Sequence, residues 1–326
     1  MAVATPRLGR RALVVAAQAL VTVGLLALLW QVADGSDALE ALASANPGWM
    51  LVALAALTLH TVLAAERWRL TAGALGLPLG RGHALHEYYL AQLVNSTVPG
   101  GVVGDAGRAV RSREQAGLAV AAQAVVVERF AGQVALLATM AIAVTVTTLT
   151  PGGLEWPGWM LGLAATITLV SLALVGVLLA ARWLPGRVGP RVAELSRTAA
   201  VALVGRRVWL PQLALSAGTT ACILVAFWAS ATSIGLSLPF AAVVTLVPLI
   251  LLTMLVPITI SGWGLREGAA AALLPLAGAT ASDSLAASIV FGLLGLVAVL
   301  PGLLGVWARP RRRLLEESEP HGETVT

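Results

Sequence analysis

NSTVPGGVVGDAGRAV, Asn95 to Val110, breaks an apolar segment with Pro99, Gly100 and Gly101, then places Asp105 and Arg108 beside the break. Proline lacks an N–H and clashes with the preceding turn, so a helix arriving at Val98 does not run on through Pro99. Glycine supplies the tight turn that follows, and Gly104 allows a close backbone approach. The stretch therefore reads as a helix that stops, turns and restarts with an acid and a base at the restart. At a water-facing surface such a break merely ends a helix. The surrounding medium decides its meaning.

Composition supplies that medium. Of 326 residues, 58% are hydrophobic and 11% charged, where a soluble domain carries about a quarter charged residues. The chain is an integral membrane protein. Its one cysteine, Cys222, excludes an internal disulfide and a cysteine-based metal cluster. The net charge of +5 does not indicate nucleic acid, because the arginines that carry it gather in short loops, where they report topology. The N-terminus MAVATPRLGRR resembles the start of a signal peptide. The run 12–32 is long enough to span and shows no cleavage site, so it is read as the first helix.

A spanning helix needs about 20 apolar residues. Six runs qualify: about 12–32, 48–65, 117–149, 158–181, 209–232 and 285–307. The third is too long for one straight span and is expected to bend or to begin at the interface. Two further segments, 83–104 and 240–279, are apolar but interrupted. Their entering legs, His83–Val98 and Ala241–Val256, are short for a full crossing, which makes re-entrant hairpins or complete broken hairpins the two options. Arginines before the first helix, in the loops at 67–81, 108–113 and 182–207, and at 309–313 place both termini in the cytoplasm. The fold class is thus an all-α polytopic membrane protein, with about six full transmembrane helices plus two broken or re-entrant hairpins. It forms a single transmembrane domain over 1–313, with a disordered cytoplasmic tail at 314–326. Each half reads helix, helix, hairpin, helix, in opposite orientations, an inverted repeat of about 12–149 and 158–307. The breaks correspond: VPGGVVGDAGR (Val98–Arg108) and VPITISGWGLREG (Val256–Gly268). Matched Pro/Gly-interrupted segments in two halves point to a transporter's binding site.

Irregular backbone at membrane depth must be buried in protein or line a wet cavity. Pro257, Ser261, Gly262 and Gly264 make the second break as Pro99, Gly100, Gly101 and Gly104 make the first. Free N–H groups at a restarted helix form an anion site, phosphate is the obvious membrane anion, and Arg108 and Arg266 can add bidentate contacts. Glu128 and Arg129, in QAVVVERFAGQVALL, and the adjacent Arg266 and Glu267 stand inside apolar runs, where ionisable residues are functional candidates by default. Adjacent residues lie about 100° apart on a helix, so cross-pairing of Glu128 with Arg266, or of Glu267 with Arg108, competes with pairing between neighbours. Ion pairs that merely hold the bundle together are the competing reading.

In ERWRL, Glu66 to Leu70, Arg67 and Arg69 read as topology and headgroup anchors beside an interfacial Trp68. His83, His86 and Glu87 have metal-like spacing without a third histidine, so no metal is assigned. Tyr88, Tyr89, Gln92 and Asn95 form a polar stripe that either lines a path or bonds neighbouring helices. The 182–207 loop is expected to lie on anionic lipid, partly as an amphipathic helix.

Four pieces together, ERWRL, the block Asn95 to Arg108, VVVERFAG (Val125 to Gly132) and VPITISGWGLREG, resemble the transmembrane region of lysylphosphatidylglycerol synthases, a flippase-like family. The resemblance implies translocation of a lipid with a phosphate-containing headgroup, either an aminoacyl-phosphatidylglycerol or a polyprenyl-phosphate-linked sugar. No soluble synthase-like domain follows residue 313, so aminoacyl transfer is not expected and the chain is read as a transporter without cofactor. The expected site is Asn95, Pro99, Gly100, Gly101, Gly104, Asp105, Arg108, Glu128, Arg129, Pro257, Ser261, Gly262, Gly264, Arg266 and Glu267. Within it Arg108, Arg129 and Arg266 would receive phosphate, and the acids would hold them. A lipid-binding scaffold for a partner enzyme is the alternative. An intramembrane hydrolase using Ser261 with His60, His83 or His86, or a glycosyltransferase, is less well supported. The expected location is the cell membrane.

Overall fold

The computed structural model describes residues 10–32, 35–98, 101–114, 116–149, 188–256 and 258–307, with isolated positions between 158 and 183. All regular structure among them is helical. The first half contains α1 (Arg10–Val32), α2 (Gly35–Ala43), α3 (Pro47–Ala74), α4 (Arg81–Thr97), α5 (Val103–Arg111) and α6 (Leu118–Leu149). Then follow α7 (Val188–Val204), α8 (Trp209–Ser233), α9 (Phe240–Leu252), α10 (Leu265–Leu273), α11 (Ala281–Ala298) and α12 (Pro301–Trp307).

Four described segments are long and apolar enough to cross a membrane: Pro47–Ala74, Leu118–Leu149, Trp209–Ser233 and Ala281–Leu304. Ala16–Gln31 and Ser36–Ala43 meet at 92° and make a fifth if they count as one span. The expected helix at 158–181 falls largely outside the described residues, and the tail 314–326 wholly so. The run expected to bend or to begin at the interface forms one continuous helix, α6, of 32 residues. At 1.5 Å per residue it is about 48 Å long, more than the ~30 Å hydrocarbon core, so it tilts or projects beyond it. The outer surface is apolar, with Phe240 81%, Leu149 77% and Leu304 74% exposed. Bilayer tails cover such a surface where water could not.

Local chemistry sets the boundaries. Asn46 caps α3, its Oδ1 accepting from Gly48 N at 2.8 Å, with Pro47 at the first helical position. Thr280 caps α11 through Asp283 N at 3.0 Å. Pro248 lies inside α9 and removes one of its rungs. The 182–207 loop holds a helix, α7, as expected.

Helix α3 is the spine. It packs most extensively on α8 and also touches α4, α6 and α11. Its N-terminal part, with Ala53 and Leu57, joins a core of α8–α11 that includes Phe227, Leu246, Ile250 and Phe291. Its C-terminal part, with Ala64, Trp68 and Ala72, joins a second core of α4, α5 and the start of α6. His60 and Thr61 lie between the two cores.

Candidate functional site

At the first break α4 ends at Thr97 and α5 restarts at Val103. A Cβ on Gly104 would run into the carbonyl oxygen of Ala91, so only glycine lets α5 start against α4. Asn95 fastens the restart: its Oδ1 accepts from Gly104 N at 2.8 Å and its Nδ2 donates to Asp105 Oδ2 at 3.1 Å. Gly101 has φ +59°. Pro99 and Gly100 lie outside the described residues.

Behind the break is a charge network. Glu128 is fully buried and receives Arg67 Nη2 at 2.8 Å, Arg108 Nη2 at 2.8 Å and the Tyr88 hydroxyl at 3.3 Å. Arg108 lies with its guanidinium carbon 4.7 Å from the ring centres of both Trp68 and Tyr88. Its Nε is 3.0 Å from Asp105 Oδ1. That pair is in ion-pair range but misaligned for a hydrogen bond. Arg129, 43% exposed at its side chain, reaches Asp105 Oδ2 at 2.6 Å. Three guanidiniums against two carboxylates leave this network with one net positive charge. Arg67 also donates from Nη1 to Thr219 Oγ1 at 3.0 Å, tying the network to α8.

The pairing settles one alternative and differs from one expectation. Glu128 does not reach Arg266, nor Glu267 Arg108: each half pairs within itself. Arg67 is not an interfacial anchor but 4% exposed and bonded to Glu128. The physical reason is shared: a carboxylate buried on α6 needs cations within side-chain reach, and α3 and α5 supply them. Arg69 does behave as a surface residue, donating to Glu66 at 2.8 Å. Glu87, fully buried, pairs with Arg111.

At the second break α9 runs through a short 3-10 turn to Leu255, and α10 starts at Leu265. Pro257 lies outside the described residues. Ser261 (φ +52°), Gly262 (φ +78°) and Gly264 (φ +87°) build the turn. Positive φ is costly for a serine. Glu267 reaches back so that Oε2 accepts from Gly264 N at 2.7 Å, half of a capping box. Its other oxygen pairs with Arg266, whose Nε also donates to Ser288 Oγ at 3.1 Å. Arg266 stacks near Trp263 (5.0 Å) and Phe291 (5.4 Å). Thr22 of α1 receives Ile260 N at 3.0 Å, bracing the turn. At both restarts a side chain of the protein itself thus occupies a backbone N–H that was expected to face an anion.

Between the two breaks lies a cavity of about 160 Å³. Leu57, His60 and Thr61 of α3 line it, as do Gln92 and Ser96 of α4, Ser261, Trp263 and Arg266 of the second break, and the Phe291–Gly292 face of α11. It therefore sits at the junction of the two apolar cores. Of the expected site residues, Ser261 and Arg266 line it; Asn95, Gly104, Asp105, Arg108 and Glu128 belong to the network behind the first break. His60, Thr61, Gln92 and Ser96 complete the lining. Gln92 was legible as part of a polar stripe, and His60 only as a candidate base.

These features define a multi-pass α-helical membrane protein whose polar groups are gathered at two broken hairpins. It belongs to the family described as the lysylphosphatidylglycerol synthase transmembrane region, whose model matches residues 14–302, nearly the whole chain. A search among curated proteins returns no match.

Proposed function

We propose that the protein translocates a lipid with a phosphate-containing headgroup across the cell membrane, and is a transporter rather than an enzyme. The observation that carries this reading is the cavity between the two breaks, walled by Arg266, in a chain whose outer face is apolar. Arg266 is 3% exposed yet borders open space, so a headgroup phosphate meets it out of bulk water, where a charge-assisted bond is strongest. Arg108 is fully enclosed by Glu128, Trp68 and Tyr88; its role is to hold the first hairpin. The two hairpins are equivalent parts of an inverted repeat. What supports this is the order of long helix, hairpin leg, nine-residue restart and long helix in each half: α3, α4, α5, α6 and α8, α9, α10, α11. Both termini are cytoplasmic in this arrangement, and the Arg-rich 182–207 loop rests on anionic lipid.

The test is reconstitution into liposomes with headgroup-labelled phosphatidylglycerol or a labelled polyprenyl phosphate, followed by exposure to an impermeant quencher. Faster movement that is lost in Arg266→Ala, with the variant still folded, supports the reading. Binding without movement favours a scaffold presenting lipid to a partner enzyme. One observation favours a second reading: Ser261 and His60 line the same cavity. The His60 Nδ1–H donates to Thr219 O at 3.0 Å, which leaves Nε2 as an acceptor, the form a general base needs. Hydrolysis of an ester lipid abolished by Ser261→Ala, with movement absent, would make the protein an intramembrane hydrolase.

A further inference from the structure

The lining of the cavity says more than that a phosphate is welcome. Among its described lining residues one is charged, Arg266, and none is a carboxylate. The nearest acid, Glu267, is committed: one oxygen to Arg266 and Ser288, the other to Gly264 N. Arg266 spends Nε and Nη2 on Glu267 and Ser288, and its Nη1 has no hydrogen-bond partner among the described residues. The rest of the polar wall is neutral. Gln92 Oε1 accepts from Thr61 at 3.0 Å, which leaves its amide N–H groups to donate. Ser96 Oγ donates to Gln92 O at 2.8 Å, which leaves its lone pairs. His60 offers Nε2, and Ser261 is held with its backbone at φ +52° on the same wall.

We infer that this cavity selects a phosphate lipid whose headgroup is a compact uncharged polyol, and discriminates against headgroups that carry an ammonium. The inference rests on the translocator reading. One guanidinium with a free edge takes the phosphate. Gln92, Ser96, His60 and Ser261 offer both donors and acceptors, which is what a hydroxyl requires, being both at once. An ammonium has three donors and no acceptor. Here it would lose its water, find no carboxylate, and face an arginine of like charge, so its desolvation would go uncompensated. Size agrees: a volume of about 150 Å³ accommodates a six-membered ring of benzene size, so ~160 Å³ holds a glycerol unit or one sugar ring.

The experiment compares lipids of equal acyl chains on the full-length protein in vesicles. Phosphatidylglycerol, phosphatidylethanolamine and lysyl-phosphatidylglycerol compete against labelled phosphatidylglycerol, and transbilayer movement is read for each. Phosphatidylglycerol should compete and move at least tenfold better than either ammonium lipid. Ser96→Asp, which puts a carboxylate into the wall, should narrow or reverse that order. Equal or better handling of the ammonium lipids by the wild type would overturn the inference while leaving the translocator standing. So would glycerol phosphate or inorganic phosphate competing as well as the lipid, since the site would then serve a free anion. Neither binding nor movement of any phospholipid would sink the translocator reading itself.

Discussion

Replacing Glu128 with Gln keeps the shape of the side chain and removes its charge, which makes it the sharpest probe of the network. In the native protein the two oxygens take Arg67 and Arg108, each at 2.8 Å, with Tyr88 at 3.3 Å, and all four groups are buried. The amide retains one acceptor oxygen for one guanidinium. Its NH2 then faces the other, donor against donor. The three arginines are then balanced only by Asp105, so the net charge of the network, part-exposed Arg129 included, rises from +1 to +2. Removing one partner of a buried ion pair costs about 3–5 kcal/mol, because the remaining charge is left uncompensated. Ordinary hydrogen bonds between membrane helices average about 0.6 kcal/mol and reach about 1.7, so the two accounts give separable magnitudes. The assay is reversible denaturation in mixed micelles followed by tryptophan fluorescence, for which the chain supplies 10 Trp. Arg67→Gln should also destabilise, and the double variant should lose clearly less than the sum of the two, since its remaining charges are closer to balance. A loss below about 1 kcal/mol for Glu128→Gln, or strict additivity in the double variant, would refute the reasoning and leave the cluster as ordinary polar packing.

Two glycines give further tests. Gly104→Ala would press a methyl into the Ala91 carbonyl, and backbone cannot yield there, so overpacking should cost about 1–3 kcal/mol in the same denaturation. Gly82→Ala, with nothing within 4 Å of its Cβ, is the control and should be neutral or stabilising by up to about 1 kcal/mol. Gly292→Ala would push on the Arg266 guanidinium and on Trp263, whose ring carbon would lie 2.8 Å away. A flexible side-chain end can give way, so this variant should stay folded but move phosphatidylglycerol at least tenfold more slowly in liposomes. Unchanged movement would mean that Arg266 need not hold its present position.

How much of this was legible follows the physics of each signal. The broken hairpins were, because proline and glycine act locally: the leg read as His83–Val98 is observed as Arg81–Thr97, and Ala241–Val256 as Phe240–Leu252 plus a 3-10 turn. The charged candidates were legible as a set, since an ionisable group in an apolar run needs a partner; Arg129 meets Asp105 with its side chain still 43% exposed. Their partners were not, because pairing depends on which helices lie side by side. Arg67 is the instructive miss. Loop statistics put it at the interface with Arg69, yet two residues apart on a helix means side chains about 200° apart, so both could not face the headgroups. One of them had to point inward, and Glu128 was the buried acid in want of a cation. The cavity was illegible for another reason: its wall draws on α3, α4, α8, α11 and the second break, and no local pattern reports that convergence.

The arrangement separates two tasks that a single run of arginines would confuse. A charge that must hold helices together is best enclosed and paired with a carboxylate, because an unpaired charge in lipid is costly. A charge that must receive and release a headgroup is best left with one edge open to a cavity: Arg266 borders the one between the breaks, and Arg67 and Arg108 do not. Arg67 and Arg108 meet the first description, enclosed and pinned to one carboxylate from two sides, while Arg67 Nε and Arg108 Nε and Nη1 keep no hydrogen-bond partner among the described residues. Arg266 meets the second: Glu267 and Ser288 fix its orientation, and Nη1 remains. Thr219 joins the two regions, receiving Arg67 on its hydroxyl and His60 on its carbonyl. A shift of α8 would therefore be felt at the network and at the cavity wall together.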